Sequence, residues 1–163
     1  MTAWRTLAHQ PADVPADWRE RLGSRFDQRL RRIGVWAELG LYGARACLDT
    51  AGEAVLPEGA MLCVCSLQGA LSATRAGIEQ QALRGLPMPF TFLQSQPSQM
   101  LAALGQHLQW RGDARFVVTR DTAALLRLLQ LECGPAGLLL GCVEEGQPGV
   151  APQSEWWRVV RME

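Results

Sequence analysis

The sequence predicts an α/β domain, a layered sheet with helices on both faces, and three observations carry that reading. Two short runs are apolar almost without interruption, "AMLCVCS" (Ala60 to Ser66) and "AGLLLGCVEEG" (Ala136 to Gly146), the pattern of strands buried on both faces. Longer stretches with apolar residues at helical spacing lie before and between them. Strands and helices therefore alternate along one chain of 163 residues, a length that suits a single domain with a real core.

Taken in order, residues 1–17 are rich in Pro, Ala and Asp and read as an irregular N-terminal segment. From Asp17 the charges are dense, "DWRERLGSRFDQRLRR", with Gly23 as an interruption. Ile33, Trp36, Ala37, Leu41, Ala44 and Leu48 then form a helical stripe that Gly52 stops. Gly34, Gly40 and Gly43 inside that stripe each weaken a helix by about 1 kcal/mol relative to alanine, and close packing is a reason to keep them. After the strand at 60–66, "LQGALSATRAGIEQQALRG" reads as a helix ending near Gly85. The proline-punctuated "LPMPFTFLQSQPSQ" follows, with a short strand expected at Phe90 to Leu93, and then a helix, "SQMLAALGQHLQWRG", stopped by Gly112. "RFVVTRDTAALLRLL" reads as a strand, a tight turn and a helix from Asp121 to about Leu131. After the apolar strand at 136–146, "EWWRVVRM" is the last candidate strand.

Composition excludes several classes of function. Sixteen acidic and sixteen basic residues cancel, which gives no electrostatic argument for nucleic acid or an anionic membrane. Every basic residue is arginine, so a Walker A lysine, a Schiff-base lysine and a lysine general base are all ruled out within this sequence. The five cysteines, Cys47, Cys63, Cys65, Cys133 and Cys142, make no CxxC pair and no zinc-ligand cluster. They read as buried free thiols, Cys63 and Cys65 on one face of a strand, and they suit a reducing cytosol. The first residues have no apolar core of a signal peptide, and no run approaches the roughly 20 apolar residues of a membrane span. A cytoplasmic protein with no cofactor and no metal is expected.

The strand-to-helix turn before Asp121 is where a nucleophile would gain from a helix dipole and free backbone amides. A cysteine there would be activated. An aspartate fits the first-turn amides as an N-cap instead, and no histidine or metal cluster lies near it in sequence. His107, beside Gln106 and Gln109, and His9 read as solvated side chains. "SLQGA", between strand and helix, offers amides to a phosphate but has one glycine only, short of a phosphate-loop fingerprint. Glu144 and Glu145 at a strand end read as a solvated loop or as a site. The arginine-dense segment from Arg19 to Arg32 is either a salt-bridged surface helix or a dock for an acidic partner.

With these elements in order, the chain resembles the N-terminal half of a β-ketoacyl synthase of the thiolase-fold superfamily, nearest to short ketosynthase-like proteins of fatty-acid and polyketide (aryl-polyene-type) pathways. "RRIGVWAELGLYGARACLDTAG" resembles the family's early helix, and "AMLCVCSLQGALSATR" its strand, glycine turn and helix. "FLQSQPSQMLAALGQHLQWRG" is similar to a segment with a serine–proline signature, Ser98 standing where asparagine is usual. "FVVTRDTAALLRLLQ" falls on the nucleophile strand and helix, and "AGLLLGCVEE" on a later strand. The resemblance spans about Arg29 to Glu145, so residues 1–163 read as a single ketosynthase N-terminal-like domain, a thiolase-like half-fold.

The resemblance implies that Asp121 occupies the position of the acyl-accepting cysteine, flanked by Thr119, Thr122 and Ala123. A carboxylate cannot replace a thiolate in thioester exchange, because an acyl anhydride is hydrolytically fragile. The family's two histidines and its lysine belong to the C-terminal half, which this sequence does not include. It further implies that Arg115, Phe116, Val117, Val118 and Thr119 form an edge strand facing a dimer partner, with the C-terminal strand filling part of the sheet and Trp156 and Trp157 on its opposite faces, one of them open to a partner. The expected function is a catalytically inactive partner of a condensing enzyme or acyl carrier protein, as a homo- or heterodimer. The alternatives are a small hydrolase or dehydratase using Asp121 with His107, and an acyl-ligand binding module with an apolar pocket near the Asp121 turn.

Overall fold

The computed structural model describes residues 3–26, 30 and 33–162. Its elements are β1 (Trp4–Gln10), α1 (Trp18–Arg25), α2 (Val35–Ala51), β2 (Met61–Cys65), α3 (Leu71–Arg84), α4 (Pro89–Gln94), α5 (Pro97–His107), β3 (Ala114–Val117), α6 (Thr122–Glu132), β4 (Leu138–Glu144) and β5 (Gln153–Arg161). The strands form one mixed sheet in the order β1-β5-β4-β2-β3. β2 pairs in parallel with β3 and β4, while β5 runs antiparallel to both β4 and β1. The parallel strands follow from helical crossovers, and the antiparallel pair β4–β5 from a short polar connection.

Two apolar clusters lie on the two faces of this sheet. On one face, Leu62, Val64, Leu139, Val143 and Trp156 meet Trp36, Leu41, Ala44 and Leu48 of α2 and Met100, Ala103 and Leu104 of α5, with Trp18 and Leu22 of α1 outside them. On the other, Met61, Cys63, Cys65, Leu138, Leu140 and Val159 meet Leu125 and Leu129 of α6, with Cys133 just beyond it. The strict alternation of strand side chains sorts the residues between the two clusters.

Two of the glycines of the α2 stripe have the packing reason expected of them. A Cβ on Gly40 would overlap the methyl of Met100, and one on Gly43 would overlap Ser154 and the Trp156 indole. Gly141 of β4 faces the same indole, and a Cβ there would stand 2.5 Å from its ring. Trp156 thus fills a slot between α2 and the sheet that exists because both walls lack a side chain. Its Nε1 donates to Ser154 Oγ at 2.9 Å, and Ser154 Oγ donates to the Leu39 carbonyl at 2.8 Å. Gly52 ends α2 in the left-handed region, its φ at 74°.

A second tie is ionic. Arg158, 1% exposed, makes a bidentate pair with Glu53 at 2.6 and 2.9 Å and donates to the carbonyls of Ala136 and Val159 at 2.9 and 3.0 Å. The buried guanidinium therefore binds the loop after α2 to the start of β4 and to β5, with good geometry on each side of its fork.

Three expectations are corrected. The segment 1–17, read as irregular, contains β1. It pairs with β5 along its length, with a register shift between Thr6 and Ala8 that spoils the alternation a sequence reading looks for. The strand expected at Phe90 to Leu93 is the helix α4, because Pro89 sits at its first turn, where a missing N–H costs nothing. The helix expected to run to Gly112 ends at His107. Gln109 takes a φ of 52° and the Trp110 amide turns back to the Gly105 carbonyl at 2.9 Å. The dense charges after Asp17 form salt bridges where they are described, Arg21 with Asp17, Arg19 with Glu38, and Arg25 with Asp49. Arg29, Arg31 and Arg32 lie outside the described residues.

The slot around Trp156 makes a stability prediction. Gly141→Ala should lower unfolding free energy by about 1–3 kcal/mol through overpacking. Gly23→Ala, on α1 with open space around it, should raise it by about 0.4–1 kcal/mol. Urea titration of both variants checks the contrast. Glu53→Ala leaves the Arg158 charge buried and unpaired, and the same titration should show a loss of about 3–5 kcal/mol.

Candidate functional site

The strand–turn–helix at the end of β3 forms as the sequence predicts. Thr119 Oγ1 accepts from the Asp121 amide at 3.0 Å and holds the turn. Asp121 Oδ1 accepts from the Ala124 amide at 2.8 Å. That is an N-cap, so the carboxylate occupies a first-turn donor that a nucleophile at this place would leave free. Ala123 is exposed, and Thr122, the first residue of α6, turns its hydroxyl toward the thiols of Cys65 and Cys142 at the ends of β2 and β4.

The second turn at this end of the sheet, Ser66 to Ala70, is already filled by carboxylates of the chain. Glu144, at the end of β4, accepts from Ser66 Oγ at 2.9 Å and from the amides of Leu67 and Gln68. Glu145 accepts from the Ser72 amide at 2.8 Å, in the first turn of α3. Of the amides that the sequence offers to a phosphate, those of Leu67 and Gln68 are therefore taken by an internal anion and that of Gly69 by Ser66 Oγ, and a carboxylate suits a helix N-terminus on the same electrostatic ground. Glu144 and Glu145 are thus not a solvated loop but a clasp between β4 and the β2–α3 turn. Sequence reasoning misses this because strand register decides it.

His107 does not join Asp121. It ends α5 and stands edge-on to Phe26 at 5.7 Å, half-buried, and burial holds its pKa below the usual imidazole range. The chain then enters β3 at its N-terminal end, whereas Asp121 follows its C-terminal end. A four-residue strand rises about 13 Å at 3.3 Å per residue, so the acid–base pair of the small-enzyme reading is not assembled. His9 faces elsewhere, stacked on Trp157 at 5.2 Å and bonded to Glu155 at 2.8 Å.

Two grooves open on the surface. One, of about 1200 Å³, is lined by Leu56, Leu101, Gln109, Trp110 and neighbours at the N-terminal ends of the parallel strands. The other, of about 390 Å³, lies between Gly34, Trp36, Ala76 and Thr91. Neither of these two is lined by Thr119, Asp121, Thr122 or Ala123, so they lend the acyl-binding reading no support.

The residues named as an interface divide. β3 lies at the edge of the sheet, as expected, with β2 on its only paired side among the described residues. Arg115 is bound within the chain, to Asp113 at 2.7 Å and to Glu132 of α6, which raise its pKa, the hydrogen bond to Asp113 first. Phe116 is half-buried and meets Trp36 edge-on at 5.5 Å, and Val117 packs toward α6. Val118, 66% exposed, points outward. Trp156 and Trp157 do point to opposite faces, but Trp156 is wholly buried in its slot and offers nothing to a partner, because both glycine walls close on it. Trp157 remains partly exposed. The described helices include none long and apolar enough to cross a membrane, and among the described residues no group of His, Cys, Asp and Glu is placed to hold a metal.

No protein-family profile matches the chain, and no curated protein does. Solved structures do. A ketosynthase (ApeO) in complex with its chain length factor (ApeC) from Xenorhabdus doucetiae matches at a TM-score of 0.63 and 13% identity, covering 98% of this chain and 77% of that one. The ishigamide ketosynthase/chain length factor matches at 0.65 and 14% identity, over 85% of this chain and 47% of that one. These neighbours bear out the fold that the sequence motifs imply, and β3, its turn and α6 form the strand–turn–helix expected there. The chain carries the thiolase-like α/β fold of ketosynthase/chain length factor proteins.

Proposed function

We propose that this protein is a non-condensing, ketosynthase-like subunit that pairs with a ketosynthase and helps it act on chains held by an acyl carrier protein, in fatty-acid or polyketide biosynthesis of the aryl-polyene kind. The observation that carries the reading is the apolar edge of the sheet at β3. Among the described residues β3 is paired on one side only, Val118 beside it is exposed, and Leu128 and Leu131 of the adjoining α6 are 59% and 84% exposed. An apolar open edge is an aggregation hazard in a lone protein and a pairing surface in a complex.

Two further observations support it. Asp121, at the position the resemblance gives to the nucleophile, is engaged as a helix cap. Both structural neighbours join a ketosynthase to a chain length factor, and the Xenorhabdus chain that matches is only modestly longer than this one, since 98% of this chain covers 77% of it. A heterodimer with a ketosynthase would cover the β3 edge and α6, and a cytoplasmic location fits such a pathway.

The test is tagged purification from the native host with mass spectrometry, repeated with Val118→Asp. Stoichiometric recovery of a full-length ketosynthase, lost in the variant, is the expected result. Recovery of the chain alone, or of a ketosynthase equally well with Val118→Asp, would overturn the reading. Asp121→Ala should lower stability by about 1 kcal/mol through the lost cap while leaving the partner's turnover in the reconstituted pair unchanged, read by denaturant titration beside a condensation assay.

A further inference from the structure

The pairing of β2 with β4 sets Cys65 directly opposite Cys142, so the two thiols lie on the same face of the sheet in neighbouring strands. Both are free. Neighbouring strands lie about 4.8 Å apart, inside the range of about 4.4–6.8 Å that Cα atoms of bridged cysteines occupy. The environments of the two differ. Cys65 is wholly buried, whereas Cys142 is partly exposed. Thr122, the first residue of α6, sets its hydroxyl against both, so the first turn of a helix, capped by Asp121, stands over the pair.

We infer that Cys142 and Cys65 form a dithiol site, in which Cys142 exchanges with small disulfides of the glutathione type and Cys65 resolves the adduct into a bridge between β2 and β4. In the first step the Cys142 thiolate attacks one sulfur of the disulfide, the S–S bond breaks, and one thiolate leaves and takes up a proton. In the second, Cys65 gives its proton to solvent and attacks the Cys142 sulfur, and the second thiol leaves. Two protein thiols are oxidised by two electrons, and one small disulfide is reduced to two thiols.

The surroundings assign the roles. The Cys65 S–H donates toward Cys142, which lowers the pKa of Cys142 and raises that of Cys65, and burial raises Cys65 further. Glu144 and Glu155, the latter the register partner of Cys142 on β5, oppose a thiolate there. Of the other cysteines, burial pushes Cys47 up to about 11 and Cys63 up to about 12, and it raises Cys133 as well. Cys142 is the one thiol with both access and a stabilised anion. Side chains of a directly opposed parallel pair project side by side, so their Cβ atoms stay near the strand spacing, wider than the mean of about 3.8 Å in disulfides. A bridge there would be strained and readily reduced, which suits a reversible modification more than a structural clamp.

The test exposes the native protein to oxidised glutathione and maps the products by intact mass and fragment sequencing. The wild type should lose two hydrogens and yield a Cys65–Cys142 link, reversed by dithiothreitol. Cys65→Ser should stop at one glutathione on Cys142, and Cys142→Ser should remain unmodified, each with circular dichroism matching the wild type. A link between other cysteines, adducts that persist in Cys142→Ser, or no product until the protein is denatured would overturn the inference. Should Cys65→Ser fail to fold, the wild-type link and the inert Cys142→Ser variant decide it.

Discussion

The width of the layer between α2 and the sheet is set by one indole. Trp156 enters a slot whose walls are Gly43 on the helix and Gly141 on β4, and its N–H feeds a relay through Ser154 to the Leu39 carbonyl. α2 is thereby fixed over β4 and β5. At its other end Trp36 donates to the Val143 carbonyl at 3.0 Å and meets Phe116 of the edge strand. One helix thus spans the sheet from its C-terminal strand to its open edge, and the position of the Asp121 turn inherits that placement. Most of the weight of the fold is on this face, where large apolar side chains interdigitate with the three helices α1, α2 and α5.

The ends of the parallel strands are where ligands bind in open α/β sheets, outside their carboxyl edge. Here that edge is closed by the chain itself. Asp121 takes a first-turn amide of α6, Glu144 takes the amides after β2, and Glu145 takes one in the first turn of α3. Each anion answers the positive end of a helix or turn, and together they leave fewer free donors for an oxyanion or a phosphate than the bare topology offers. The free thiols Cys65 and Cys142 lie near that edge on the neighbouring strands β2 and β4 rather than in the turn.

How much of this is legible in sequence depends on the range of the interaction. The α2 stripe, its Gly52 stop, the apolar strands and the Asp121 cap are local patterns, and each forms close to where it is expected. β1 is not local. Arg5, His9 and Gln10 look like loop residues until β5 supplies a partner, and the shift near Leu7 hides their alternation. α4 misleads for another reason, since Phe90, Thr91 and Phe92 favour strands singly while Pro89 starts a helix. For the site, the identity of the turn at Asp121 could be read, but Cys65 against Cys142 and Ser66 against Glu144 depend on which residue of one strand faces which of another. Face can be read from a period of two, and register cannot.

The pairing of the first strand with the last has a consequence for synthesis. His9 and Glu155, bonded across the β1–β5 ladder, stand 146 residues apart. A ribosome adding about 5–20 residues per second leaves β1 without its partner for roughly 7–30 s. During that interval β4, once made, also lacks a neighbour on the side β5 will occupy. The edges of β1 and β4 that β5 will fill therefore stay unpaired until β5 emerges, and closing a loop of this length makes that docking a slow, non-local step. Chaperone capture in that interval would act on Trp4–Gln10, a strand that the mature fold pairs with β5 along one side.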